Sequence, residues 1–202
     1  MQYSTFAAID IGSYDVILEI FEISKKQGIR SVDKICHRME LGKDTYTLGK
    51  IRPEMEEELC RVLADFVRIM EGYRVDDYRA TASSAISEAS NSLYVLGKIH
   101  QLTGFSVTVL SNSEQRFLSY KALAAMEDNF NKIIEKGTAI LDLDGGSFQI
   151  SLFDKDALVT TQNIRMGSLR IRERLAGIQS ETEHYEEMVE ELIWNEVSSF
   201  KK

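Results

Sequence analysis

The chain has 202 residues, 44% of them hydrophobic and 28% charged, enough for one large core or two modest ones. Its formal net charge of −8 argues against a nucleic-acid binder that works by neutralising phosphates, and no stretch approaches the length of a membrane helix. Two cysteines, Cys36 and Cys60, are too few for a disulfide scaffold, and three scattered histidines form no ligand spacing. With no basic leader ahead of the first strand-like segment, the chain reads as cytoplasmic, its thiols reduced and packed.

Phe6–Ile11 and Val16–Ile23 read as a first hairpin, and Ile29–Met39 alternates well enough to be a third strand beside it. Leu41 to Lys50, with Gly42 and Gly49, reads as a loop. Pro53 suits the first turn of a helix whose apolar residues Met55, Leu59, Val62, Phe66, Ile69 and Met70 recur at helical spacing, with Gly72 as a stop. Tyr78–Ala82 reads as a buried strand and Ser83–Ser90 as a small polar turn. Leu93, Leu96, Ile99 and Leu102 form the stripe of a helix ended by Gly104. Phe105–Leu110 is a strand, and Ser113 is the expected cap of a helix carrying Phe117, Tyr120, Leu123 and Met126. Three strands follow, Thr138–Leu143, Phe148–Phe153 and Leu158–Asn163, then helices around Ser168–Leu175 and Glu181–Phe200.

Two stretches say nearly the same thing. Ala8-Ile9-Asp10-Ile11-Gly12-Ser13 and Ile140-Leu141-Asp142-Leu143-Asp144-Gly145-Gly146-Ser147 each run from an apolar strand through an aspartate into a small-residue turn and a second strand. Such repetition marks a duplicated architecture. Gly and Ser turns let main-chain N–H groups converge on an anion, as in phosphate cradles, and the neighbouring aspartates could hold a hard cation against it. The expected phosphate-binding residues are Gly12 and Ser13 in the first turn, Ser83 and Ser84 in the small polar turn, and Gly145, Gly146 and Ser147 in the second. The expected metal ligands are Asp10, Asp142 and Asp144. The division is a first lobe over 1–128 and a shorter second lobe over 129–202, whose three-stranded sheet keeps an uncovered edge. Either further chain or another copy covers that edge, and the latter predicts a homodimer.

The two turns resemble those of the actin-like, sugar kinase and Hsp70-like ATPase superfamily. Ala82-Ser83-Ser84-Ala85-Ile86-Ser87-Glu88-Ala89, Val109-Leu110-Ser111-Asn112-Ser113-Glu114-Gln115-Arg116 and Met166-Gly167-Ser168-Leu169-Arg170-Ile171 narrow the match. In order and spacing the chain resembles the exopolyphosphatase / guanosine pentaphosphate phosphohydrolase family. The resemblance implies an α/β fold of duplicated ribonuclease H-like, actin-like lobes, the second incomplete here. It also implies hydrolysis of a terminal phosphoryl group from polyphosphate or guanosine pentaphosphate. A glutamate would activate water, Mg²⁺ or another divalent cation would neutralise charge, and the turn amides would hold phosphate oxygens.

The departures from that family fall at the chemistry. The resemblance puts Gln115 at the glutamate that activates water, with Glu114 one position earlier as its only carboxylate neighbour. A glutamine amide can orient a water but does not accept its proton near neutral pH. Adjacent helical residues point about 100° apart, so Glu114 replaces it poorly. Ser87 takes the place of an arginine, Tyr14 that of an asparagine, Asp144 that of a glycine, and Phe148 and Gln149 that of a polar pair. Two readings follow: a degenerate family member acting as a binding or assembly module, or an active phosphohydrolase. An actin-like ATPase or kinase shares the turns but lacks a matching adenosine-pocket signature.

Overall fold

The computed structural model describes residues 3–127, 129–176 and 184–198. It divides into two compact units, Met1–Leu110 and Ser111–Lys202.

In the first unit, strands β1 (Ser4–Ile11), β2 (Asp15–Ser24) and β3 (Gly28–Arg38) form an antiparallel meander. Strands β4 (Asp77–Ala82) and β5 (Val107–Val109) add parallel on the other side of β1, giving the order β3-β2-β1-β4-β5. Alternation decides which face is covered: Ala7, Ile9 and Ile11 of β1 and Val16, Leu18 and Ile20 of β2 are buried. Helix α2 (Pro53–Tyr73) brings Leu59, Leu63, Phe66 and Met70 into this core, and helix α4 (Ser92–Thr103) adds Val95 and Ile99.

Three expectations change here. Leu41 to Lys50 is not a loop, because Leu41–Leu48 forms helix α1, closed by Gly49 in the left-handed conformation at φ 70. One glycine and two threonines in eight residues make a weak helix on propensity alone. Tertiary ties hold it: Gly42 N–H donates to Ser13 O at 2.8 Å, and the buried Thr45 hydroxyl donates to Ala85 O at 2.7 Å. The polar stretch after β4 holds a single helical turn, α3 (Ser84–Ser87). The stripe on α4 is also phased differently, with Leu93 and Leu102 exposed. Residues spaced by three drift about 60° per step around a helix of 3.6 residues per turn, so the ends of that stripe face opposite ways.

The second unit opens with α5 (Asn112–Met126) and α6 (Phe130–Ile134). Strands β6 (Thr138–Leu143), β7 (Phe148–Asp154) and β8 (Ala157–Ile164) then form an antiparallel sheet in that order. Helices α7 (Ser168–Leu175) and α8 (Tyr185–Ser198) follow. The expected ends of the last helix, Glu181 and Phe200, lie outside the described residues. Ile150, Ile164 and Met166 form a small core, backed by Phe148, Leu152, Ile171, Leu192 and Val197. The second unit begins at Ser111, and α5 packs on its sheet: the Tyr120 ring meets Phe153 edge-on at 5.3 Å, and its hydroxyl bonds Ser151. The cap of α5 is Ser111, not Ser113.

The repeat seen in the sequence holds in register. Ile11 pairs with Val16 across the first hairpin and Leu143 with Phe148 across the second, so residues 12–15 and 144–147 are equivalent loops. Both close by the same reversal bond, Gly12 N–H to Asp15 O at 3.0 Å and Asp144 N–H to Ser147 O at 2.9 Å.

Candidate functional site

In the first unit, Asp10 lies one residue before the end of β1, paired with Ile17 on one side and Thr81 on the other. Gly12 begins the turn where a Cβ would stand 2.9 Å from Asp15 O and 3.9 Å from Asp10 Oδ2, so a side chain there would press on main chain. Ser13 is buried, its hydroxyl 2.6 Å from the Tyr46 hydroxyl and 3.3 Å from Ser84 Oγ, which itself lies 2.8 Å from Tyr46. The structure thus places Ser84 and Tyr46 of α1 against Ser13, beside Gly12. Ser83 donates its N–H to Ile11 O at 3.2 Å, which joins the end of β4 to the turn. Its hydroxyl is buried without a partner among the described residues. The Arg38 guanidinium lies 4.2 Å over the Tyr14 ring, a cation–π contact beside the same turn.

In the second unit the turn packs against the start of α7. Ser168 N–H donates to Asp144 O at 3.0 Å, and Leu169 and Arg170 N–H donate to Gly145 O at 3.0 and 3.2 Å. The Arg170 side chain adds Nε to Gly146 O at 2.6 Å. The helix can come this close because residue 167 is glycine: a Cβ there would lie 2.3 Å from Asp144 O. The first-turn amides of α7 are thus directed at turn carbonyls. Asp144 occupies the loop position that Gly12 holds in the first unit, and its Oδ1 accepts the Gly145 N–H at 2.6 Å. Ser147 Oγ accepts from Asn163 Nδ2 at 3.3 Å.

Glu114 closes a capping box on α5. Its Oε2 accepts the Ser111 N–H at 2.8 Å and the Ser111 hydroxyl at 2.7 Å, while Ser111 Oγ accepts the Glu114 N–H at 3.3 Å. Gln115 is half-buried on the next helical position, its N–H donating to Ser111 O at 3.0 Å. Arg116 reaches Thr161 Oγ1 on β8 at 3.2 Å, and Ser119 donates to Asp142 Oδ2 at 3.3 Å.

Among the described residues no group of three His, Cys, Asp or Glu side chains lies placed to share a metal ion. Asp142 and Asp144 each already accept a hydrogen bond, and Asp10 belongs to the other unit. No described helix is long and apolar enough to cross a membrane.

With two equivalent aspartate turns on duplicated sheets, residues 19–202 match the Ppx/GppA phosphatase family. The chain belongs to that family. The fold is accordingly actin-like: an Aquifex aeolicus Ppx/GppA family member superposes with a TM-score of 0.72 at 23% identity, over 100% of this chain and 64% of its own. The exopolyphosphatase 1 of Mycobacterium leprae is 25% identical over 144 residues, 71% of this chain and 41% of that protein. A bifunctional 3-dehydroquinate synthase/phosphatase of Fusobacterium nucleatum is 22% identical over 174 residues, 83% of this chain and 26% of that protein. This Ppx/GppA chain thus spans less than two thirds of the length of each of these relatives.

Two residues that pack against the Ppx/GppA chain's turns were missed by sequence reasoning. Tyr46 stood in a supposed loop, and only the reassignment of that segment as helix brings its hydroxyl to the turn. Gly167 sat inside a matched segment, but nothing local marks its approach to main chain distant in sequence.

Proposed function

We propose that this chain is a Ppx/GppA protein whose phosphohydrolase site is disabled and that it serves as a binding or assembly module. The observation that carries the reading is the Asp144 carboxylate on the Gly145 amide, at 2.6 Å. An amide of this turn is the donor expected to meet a phosphate oxygen, and here a fixed anion already takes it. A second anion arriving there meets like charge rather than a free donor.

Two further features support the same reading. Gln115 stands where the water-activating glutamate is expected, and loss of a general base costs on the order of 10²- to 10⁴-fold in rate. Glu114 is engaged in the α5 cap through both Ser111 groups, an arrangement that favours structure over proton transfer. Polyphosphate and guanosine pentaphosphate, with Mg²⁺, are then ancestral substrates that this chain does not turn over.

The assembly role draws on β6. Its residues Leu141 and Leu143 are each 62% exposed, whereas their counterparts in β1, Ile9 and Ile11, are 1% and 0% exposed beneath helices and beside β4. A second copy pairing β6 to β6 would extend both sheets and shield these leucines mutually. Light scattering at high concentration should show a dimer, and a clean monomer counts against this surface.

The turn itself is tested by NMR. Adding inorganic tripolyphosphate with Mg²⁺ should leave the Gly145 amide resonance unmoved in the native chain and shift it in Asp144→Gly. A saturable shift of Gly145 in the native chain would overturn the reading.

A further inference from the structure

The first unit's turn holds a second device, independent of Asp144. Ser13, 0% exposed, and Ser84 are two of the hydroxyls expected to donate to a phosphate oxygen. Both hydroxyls are already engaged with one side chain of the protein. The Tyr46 oxygen lies 2.6 Å from Ser13 Oγ and 2.8 Å from Ser84 Oγ, and the two serines lie 3.3 Å apart, so the three hydroxyls close a ring. In such a ring each hydroxyl donates one bond and accepts one, so the Tyr46 hydroxyl seated between the two serines fills the place an oxyanion would take.

Tyr46 is not loosely placed. Helix α1 is pinned at Gly42 N–H to Ser13 O, 2.8 Å, and at Thr45 Oγ1 to Ala85 O, 2.7 Å, so the ring arrives from a fixed backbone on both sides of the turn. Beside the cluster, the buried Ser83 hydroxyl has no partner among the described residues. A buried hydroxyl without a partner carries a desolvation cost that an incoming acceptor relieves.

We infer that Tyr46 is an internal stopper, its hydroxyl seated between Ser13 and Ser84 so that the first turn stays closed to phosphate-type oxyanions. The inference rests on reading that turn as a retained phosphate cradle. It also identifies what decides the turn's occupancy: one aromatic side chain on α1, whose removal leaves the Ser13 and Ser84 hydroxyls able to donate to an incoming oxyanion.

Calorimetric titration with inorganic tripolyphosphate and Mg²⁺ of the native chain, Tyr46→Ala and Tyr46→Phe tests it. Tyr46→Ala should bind about tenfold tighter or more, the worth of one released charge-assisted hydrogen bond. Tyr46→Phe, which keeps the ring and loses the hydroxyl, should gain less but in the same direction. A cooperatively folded Tyr46→Ala with unchanged affinity overturns the inference. If that variant does not fold, Tyr46→Phe decides, and no gain there overturns it equally. Phosphate release by the native chain in the same samples sinks the disabled-site reading separately. Absence of release together with unchanged binding in the variants sinks only the role of Tyr46.

Discussion

Gly167→Ala is the sharpest structural perturbation available. Gly167 has φ −93 and ψ 170, which any residue adopts, so alanine adds no backbone strain of its own. The cost is purely collision. The new Cβ would stand 2.3 Å from Asp144 O and 2.4 Å from Gly145 C and O, and these main-chain atoms cannot rotate aside as a side chain would. The same carbonyls accept the Ser168, Leu169 and Arg170 amides, and the neighbouring Gly146 O accepts Arg170 Nε. Pushing the turn away from α7 weakens most of these four bonds, each worth about 1 kcal/mol net. The expected loss is about 3 kcal/mol, read by urea denaturation. Hydrogen exchange should place the new opening at residues 144–171. Gly97→Ala is the control, since its Cβ meets nothing within 4 Å and it sits inside α4. That change should stabilise by about 0.5–1 kcal/mol. A Gly167→Ala variant as stable as the native chain would show that α7 does not start against the turn.

Three other outcomes follow from the first unit. Thr45→Val keeps shape but removes the hydroxyl that bonds the buried Ala85 carbonyl, and should cost about 1–2 kcal/mol in chemical denaturation. Its neutrality would mean α1 is not tied to α3. Lys98 Nζ lies 2.6 Å from Glu56 Oε1, and that hydrogen bond holds the Lys98 ammonium above its ordinary pKa. The stability it adds is fully present below the usual lysine value of about 10.4 and is lost as pH rises through the folded value. Glu56→Gln should flatten that alkaline decline, and an unchanged decline refutes the pairing. Burial pushes the Cys60 thiol up, and Cys60 is buried while Cys36 is exposed. A thiol reagent should therefore modify Cys36 in the folded chain and Cys60 only on unfolding; equal rates would contradict the packing.

Strands and the duplication were legible in the sequence because alternation and small-residue turns are local signals. β6 and α7 occupy the residues their patterns predict, and the two turns proved equivalent down to their reversal bonds. What was not legible depends on partners distant in the chain. Leu41–Leu48 has the composition of a loop and becomes helix through Ser13 and Ala85. The cap of α5 fell on Ser111 rather than Ser113, and its capping-box partner is Glu114, the residue weighed as a substitute base. Tyr46 meets Ser13 only once α1 has packed against the first turn. A serine-rich segment announces donors, but nothing local says that a tyrosine elsewhere has already claimed them.

The most direct test of a retained scaffold with a disabled site is the rate of phosphate release from polyphosphate and from guanosine pentaphosphate, with Mg²⁺, by the native chain across a range of pH. No release above the protein-free background is predicted. Robust turnover, abolished by Glu114→Gln, would contradict that account and make Glu114 the group that activates water.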